Sequence, residues 1–185
     1  MRIALFTGHR ADLRALCALE ISLKPEHQVF WMDRIRFAVT DEDAGASPNE
    51  IAGKTFQFVT HFLQSRHIDL VVIHGDRSEA LAAAAATNMI RIPIAHLSGG
   101  DITEGSQDDS FRHAITKLAH LHYPSNVDSA QRIVSSLGEE AWRVLAAGCP
   151  AIDDVMKERA LIPDRATARH ALGMAFGKER GAQGA

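Results

Sequence analysis

Short apolar runs alternate along this chain with stretches in which apolar residues recur every three or four positions. Residues 3–6 form a compact apolar run closed by Thr7-Gly8, the pattern of a buried strand feeding a turn. Residues 12–23 carry helical spacing through Leu13, Leu16, Cys17, Leu19 and Leu23, and Lys24-Pro25 ends it. Residues 29–32 read as a second strand, and 33–48 as a loop rich in acidic residues, glycine and proline. A helix is expected over 49–65, then a strand over 70–73 that stops at His74-Gly75-Asp76. A helix of small residues follows at 78–88, then a strand at 92–95 in which Pro93 removes one ladder donor. Ser98-Gly99-Gly100-Asp101 breaks that strand. A helix over 108–120 takes Asp108 or Asp109 as its N-cap, and a short strand over 121–123 comes next. A helix over 127–137 closes at Gly138, and a last strand is expected over 143–147. Beyond residue 159, one helix is expected over 165–174 and fraying over 177–185.

Strand and helix alternate throughout, which predicts an α/β fold: a Rossmann-like parallel sheet with helices on both faces. Ligands of such sheets bind beyond the carboxyl ends of the strands. Arg10, Asp76 and Asp101 all fall at those ends, and this coincidence is the first pointer to a site.

The chain has 185 residues, enough for one domain, and its 46% hydrophobic and 23% charged content supports a packed core. A net charge of -3 argues against a nucleic-acid partner, which favours a basic excess. Cys17 and Cys149 lie far apart and no CxxC occurs, so no disulfide framework is expected and a reduced, cytoplasmic setting is the simplest reading. The first residues lack a signal sequence, and the alanine-rich stretch 81–87 is too short to span a bilayer. The ten histidines include no HxxxH pair on a predicted helix, so no metal is expected.

Three clusters carry candidate chemistry. In Thr7-Gly8-His9-Arg10 a glycine lets the backbone turn, and Arg10 either grips a phosphate or carboxylate with two N–H groups or is solvated at an ordinary turn. The segment is not a GxGxxG fingerprint. In Gly75-Asp76-Arg77, the acid at a strand end either moves protons or simply caps the next helix or pairs with Arg77. Asp101, Glu104, Asp108 and Asp109 form an acidic group with Arg112 and His113 one turn on. That set suits acid/base work on a sugar with phosphate steadied by arginine and histidine, or else a well-capped amphipathic helix. No GxSxG and no P-loop occur.

Taken in order, these segments resemble a known family. Residues 7–12 are similar to the TG(T/S)RAD opening of the hydrolysing UDP-N-acetylglucosamine 2-epimerases of the sialic-acid and related pathways. His74-Gly75-Asp76-Arg77 resembles their GDR segment. Residues 92–105 resemble IPIAH followed by GGE and TEG, and residues 108–117 are close to DDSIRHAITK. Residues 148–153 resemble a closing G.P..D. The resemblance covers residues 1 to about 155, taken as an amino-terminal domain, with 156–185 as a helical, frayed tail.

The resemblance implies half of a glycosyltransferase-B-like fold whose substrate lies between two domains. It implies elimination of UDP from UDP-N-acetylglucosamine and hydration of the glycal to N-acetylmannosamine. Carried over by position, Asp76 and Asp108 look like acid/base carboxylates. Asp101 stands where the family's GGE has glutamate. Arg10 looks like a phosphate contact, and Arg112 and His113 shape the site. No metal and no organic cofactor is implied. The expected partners are a UDP-sugar and either another copy of the chain or a separate carboxyl-terminal domain, with self-association through exposed apolar surface. Nucleic acid and membrane are not expected partners. Some members carry a catalytic glutamate where this chain has Ser98, Leu13 replaces a usual aromatic, and the 33–48 connection is short. These departures leave a second reading open, a catalytically inactive relative that binds a sugar nucleotide or a protein partner. A third is the acceptor domain of a glycosyltransferase of the same architecture.

Overall fold

The structure is a computed structural model that describes residues 1–8, 10–33, 45–150 and 152–153, with the backbone alone at residues 10 and 11. Residues Met1–Ala151 form one compact unit. Of a second unit, Ile152–Ala185, only Ile152 and Asp153 are described, so the expected 165–174 helix and the frayed end lie outside the described residues. Most of the expected 33–48 loop does too.

The elements run β1 (Arg2–Thr7), α1 (Arg10–Leu23), β2 (Gln28–Asp33), α2 (Pro48–Gln64), β3 (Leu70–His74), α3 (Ser78–Met89), β4 (Ile94–Leu97), α4 (Asp108–Leu118), β5 (Leu121–Tyr123) and α5 (Val127–Ser135). The five strands make one sheet in the order β2-β1-β3-β4-β5, and every pairing is parallel. The α/β, Rossmann-like reading is therefore correct.

Alternation along the central strands sorts the core into two layers. Ala4, Phe6, Val71, Ile73 and Ile94 face one side, under Val59 and Leu63 of α2, the alanines of α3 and Ile115 of α4. Ile3, Leu5, Val72, Ala95 and Leu97 face the other, under Leu16, Leu19 and Leu23 of α1. This is the period-two placement of a sheet buried on both faces. Helix α3 buries Ala80, Ala83, Ala84 and Ala86, short side chains that let its axis lie close to the sheet. Helix α2 begins with a capping box: the Ser47 hydroxyl accepts the Glu50 amide at 3.3 Å and the Glu50 carboxylate accepts the Ser47 amide at 2.7 Å.

Three local expectations need correction. Strand β4 starts at Ile94, two residues later than expected, because Pro93 has no N–H to pair; its carbonyl instead accepts the Val71 amide at 2.9 Å. The expected strand over 143–147 reduces to a 3₁₀ turn at Ala141–Arg143 and a single bridge from Val144 to His122. Helix α4 is capped by neither Asp108 nor Asp109. Its N-cap is Gln107 in helical conformation, and both Asp109 oxygens lie 2.9 Å from the Thr103 amide, closing the loop before the helix.

Candidate active site

The chain's polar groups gather beyond the carboxyl ends of β1, β3 and β4. A cleft of about 250 Å³ lies there, walled by Gly8, Asp12, His74, Asp76, Glu79, Ser98, Asp101 and Arg112 among others. Each wall comes from the turn that follows a strand or from the first turns of the next helix. Gly8 makes the β1 side possible. A Cβ there would meet the Glu79 Cβ at 3.0 Å, so a larger residue would press the turn away from α3 by a few tenths of an ångström.

Arg112 is the hub. It sits one turn into α4, and its side chain is 7% exposed. Its guanidinium donates to Asp76 and to Asp109, to the Asp101 carbonyl at 2.8 Å and to Thr103 Oγ1 at 3.4 Å. A buried guanidinium needs this many acceptors, and a planar fork can serve two carboxylates at once. The consequence is that Asp76, on the turn after β3, is held in place by a residue thirty-six positions away. Asp101 is fixed separately: its Oδ1 accepts from Ser129 Oγ, with Asn126 Nδ2 at 3.4 Å.

A second chain of contacts crosses the same cleft. His74 Nδ1 lies 2.9 Å from Asp12 Oδ1, and Ser98 Oγ lies 3.3 Å from His74 Nε2. A carboxylate only accepts, so Nδ1 carries the ring proton and Nε2 is left to accept from the hydroxyl. Ser98 has φ +59°, a left-handed conformation unusual for a residue with a side chain. The Gly99-Gly100 turn behind it holds that geometry. A Cβ at Gly100, φ +79°, would lie 2.5 Å from the Ser129 carbonyl oxygen, and one at Gly99 would lie 2.8 Å from His96 Nδ1.

His96, on β4, is buried beneath the cleft. Its Nε2 donates to the Gly75 carbonyl at 3.0 Å, and Thr116 Oγ1 lies 3.1 Å from Nδ1. Burial is the main cause that lowers its pKa from 6.5 to about 4, and the bond to Gly75 opposes it. The ring is therefore neutral and serves as a strut under the Gly75-Asp76 turn.

Of the residues singled out from sequence, the structure brings Asp76, Asp101 and Arg112 into one cleft. Asp108 and His113 are not among its walls. Asp108 donates its amide to Ser106 Oγ at 3.2 Å, and His113 is one position along α4 from Arg112, about 100° around the helix. Arg10 opens α1, but its side chain lies outside the described residues. Sequence reasoning passed over Asp12 and His74 as site residues. Position was the available signal: His74 ends β3, directly before the Gly75-Asp76 turn already singled out. Among the described residues no histidine, cysteine and carboxylate group has the arrangement of a metal site, and no helix is long and apolar enough to cross a membrane.

Comparison with known proteins finds relatives of this chain. The curated UDP-N-acetylglucosamine 2-epimerase of Neisseria meningitidis serogroup B is 33% identical over 117 residues, 63% of this chain and 30% of that protein. The GDP/UDP-N,N'-diacetylbacillosamine 2-epimerase (hydrolyzing) of Campylobacter jejuni is 46% identical over 80 residues, 43% of this chain and 21% of that protein. Among solved structures, the Neisseria meningitidis UDP-GlcNAc 2-epimerase bound to UDP-GlcNAc superposes with a TM-score of 0.77 at 19% identity, covering 96% of this chain and 53% of that one. The Methanocaldococcus jannaschii UDP-GlcNAc 2-epimerase in complex with UDP-GlcNAc and UDP superposes equally well, at 0.77 and 15% identity, over 91% of this chain and 52% of that one. The chain thus spans about half the length of these solved relatives, whose fold is glycosyltransferase-B-like. The family model described as UDP-N-acetylglucosamine 2-epimerase matches residues 24–179, and the chain belongs to that family.

Proposed function

We propose that this chain supplies the sugar-facing acid/base wall of a hydrolysing UDP-sugar 2-epimerase, the form that releases UDP and hydrates the glycal. The observation that carries this reading is the Arg112 bridge, which presents Asp76 into a cleft at the end of the sheet. In this reading Asp76 exchanges the proton at the sugar carbon, Arg112 fixes the carboxylate, and Asp101 orients sugar hydroxyls as an acceptor. Asp108 contributes from the α4 rim and His113 shapes that helix. Asp12, Asp76, Glu79 and Asp101 outnumber Arg77 and Arg112 along the cleft, a charge balance suited to hydroxyl groups rather than to a diphosphate. The phosphates accordingly lie towards Arg10 and a second domain.

The test supplies a carboxyl-terminal half from the Neisseria meningitidis relative in trans and follows UDP release from UDP-N-acetylglucosamine in deuterated water. Release with deuterium at C2 of the product is expected. General acid/base catalysis contributes about 10²–10⁴-fold, so Asp76→Asn should slow release by at least about 100-fold. Equal rates for the two proteins would refute the assignment. Ser98, where the resemblance puts a catalytic glutamate in some members, favours one alternative: a relative that binds the sugar nucleotide without turning it over. Calorimetric titration showing tight binding with no UDP release would select it.

A further inference from the structure

We propose that Ser98, His74 and Asp12 form a second active unit in the same cleft, an activated serine that removes an acyl group from a hydroxyl-rich alcohol. Three independent features carry this.

The first is order and geometry. Ser98 Oγ is 3.3 Å from His74 Nε2, and His74 Nδ1 is 2.9 Å from Asp12 Oδ1. The only tautomer that satisfies Asp12 leaves Nε2 free to take the hydroxyl proton. Nucleophile, base and orienting acid therefore stand in working sequence: Ser98 follows β4, His74 ends β3 and Asp12 lies in the first turn of α1. The second is backbone. Ser98 follows β4 directly and adopts φ +59° on a strand-to-turn junction, its amide held by the Tyr123 carbonyl at 3.0 Å. Ser98 thus sits where a strand gives way to a strained turn, as the nucleophile of ester hydrolases does, although here that turn leads into a loop rather than straight into a helix. The third is surroundings. Ser98 is shared by two cavities. One is the acidic cleft; the other, about 280 Å³, is apolar and walled by Leu19, Leu23, Leu70, Val72, Leu97 and Tyr123 among others. A bond broken at Ser98 would have a hydrocarbon acyl chain on one side and a polar alcohol on the other, where carboxylates accept its hydroxyl protons. An O-acylated sugar fits both walls.

The chemistry balances. Ser98 Oγ attacks the ester carbonyl carbon while its proton passes to His74 Nε2. The tetrahedral intermediate expels the alkoxide, which takes that proton from His74 and leaves as the alcohol. Water then attacks the acyl-serine, His74 accepts a proton from it, and collapse breaks the acyl bond to Oγ as the proton returns. The net change is ester plus water to acid plus alcohol. Asp12 is a positioning residue that acts through His74.

The experiment needs no sugar nucleotide, so its failure leaves the Asp76 test standing, and the reverse. The folded chain is incubated with a fluorophosphonate at pH 8 and the adduct is mapped by peptide mass spectrometry. Hydrolysis of p-nitrophenyl butyrate and acetate is followed in parallel. Expected are a phosphonylated Ser98, none in Ser98→Ala or in the heat-unfolded chain, at least tenfold slower labelling in His74→Gln, and faster turnover of butyrate than acetate. Asp12→Asn should move the pH dependence of labelling, which a structural role alone would not do, and it keeps the test valid where His74→Gln fails to fold. No adduct at Ser98 in chain shown folded by circular dichroism overturns the proposal. So does labelling at an unchanged rate and pH profile in both His74→Gln and Asp12→Asn.

Discussion

A histidine ring sealed from water loses the hydration that would stabilise its charged form, and His96 is held that way beneath the cleft. Its folded pKa of about 4 lies below the 6.5 of an open ring. Between those values the unfolded chain takes up the proton and the folded chain does not. Stability is therefore full above pH 6.5 and falls as pH drops towards 4, by on the order of 3 kcal/mol for this residue alone. Urea titrations between pH 7 and pH 4.5 should show that fall, and His96→Gln, which keeps a donor for the Gly75 carbonyl but does not titrate, should flatten it. An unchanged slope in the variant would assign the effect to other groups. Arg112 is the opposite case: nearly as buried, its guanidinium meets the carboxylates of Asp76 and Asp109. Neither environment shows in the sequence. His96 lies in an apolar, glycine-flanked stretch and Arg112 follows a run of acids, and only the fold decides what each side chain meets.

At the scale of elements, propensity and packing pull apart in instructive places. Gly53 sits in the middle of α2, exposed, with nothing within 4 Å of where a Cβ would stand. Gly53→Ala removes backbone freedom from the unfolded chain without a clash, and should raise stability by about 0.5–1 kcal/mol in urea or thermal unfolding. A loss of stability would mean the helix is not formed as described. Period was sufficient to find β1, β3, α1 and α2, and composition, a run of small residues, to find α3. They misplaced β4 because Ile92-Pro93-Ile94 is apolar enough to read as strand, whereas the ladder begins only where an N–H is available. They also assigned the α4 cap to an aspartate. Asp109 has the right chemistry for a cap, but its carboxylate is taken by the Thr103 amide and by Arg112, contacts that depend on how the preceding loop closes.

At the largest scale, the described residues of the Met1–Ala151 unit build a five-stranded sheet with its earliest strand near the centre. Strand β1 pairs with β2 on one side and β3 on the other, while β2 and β5 are the outermost strands of the order. Amide exchange should therefore be slowest in β1 and β3, which are paired and covered on both sides, faster in β2, and fastest in the 141–147 segment, which joins the sheet through one bridge. Protection that is greatest in β2 would contradict the strand order. Sheet order was not legible in the chain, because a parallel pairing between β1 and β3 skips an intervening strand and two helices. The location of the cleft was legible, since the ends of parallel strands are where such sheets open whatever the order. Its membership was only partly so. Asp76 and Asp101 could be named from their strand ends, whereas the Asp12–His74–Ser98 contacts join residues 62 and 24 positions apart.

The alanine face of α3 bears on how such a protein changes its preference. Asp76, Arg77 and Glu79 ride at the front of that helix, and its seat against the strands is only a methyl group deep. Any bulkier side chain at Ala83 or Ala84 must tilt the rod outward, and the front end would swing with it. Variants with altered selectivity should thus arise in the hydrophobic interior, one to two turns along from the charged side chains at the mouth of the cleft.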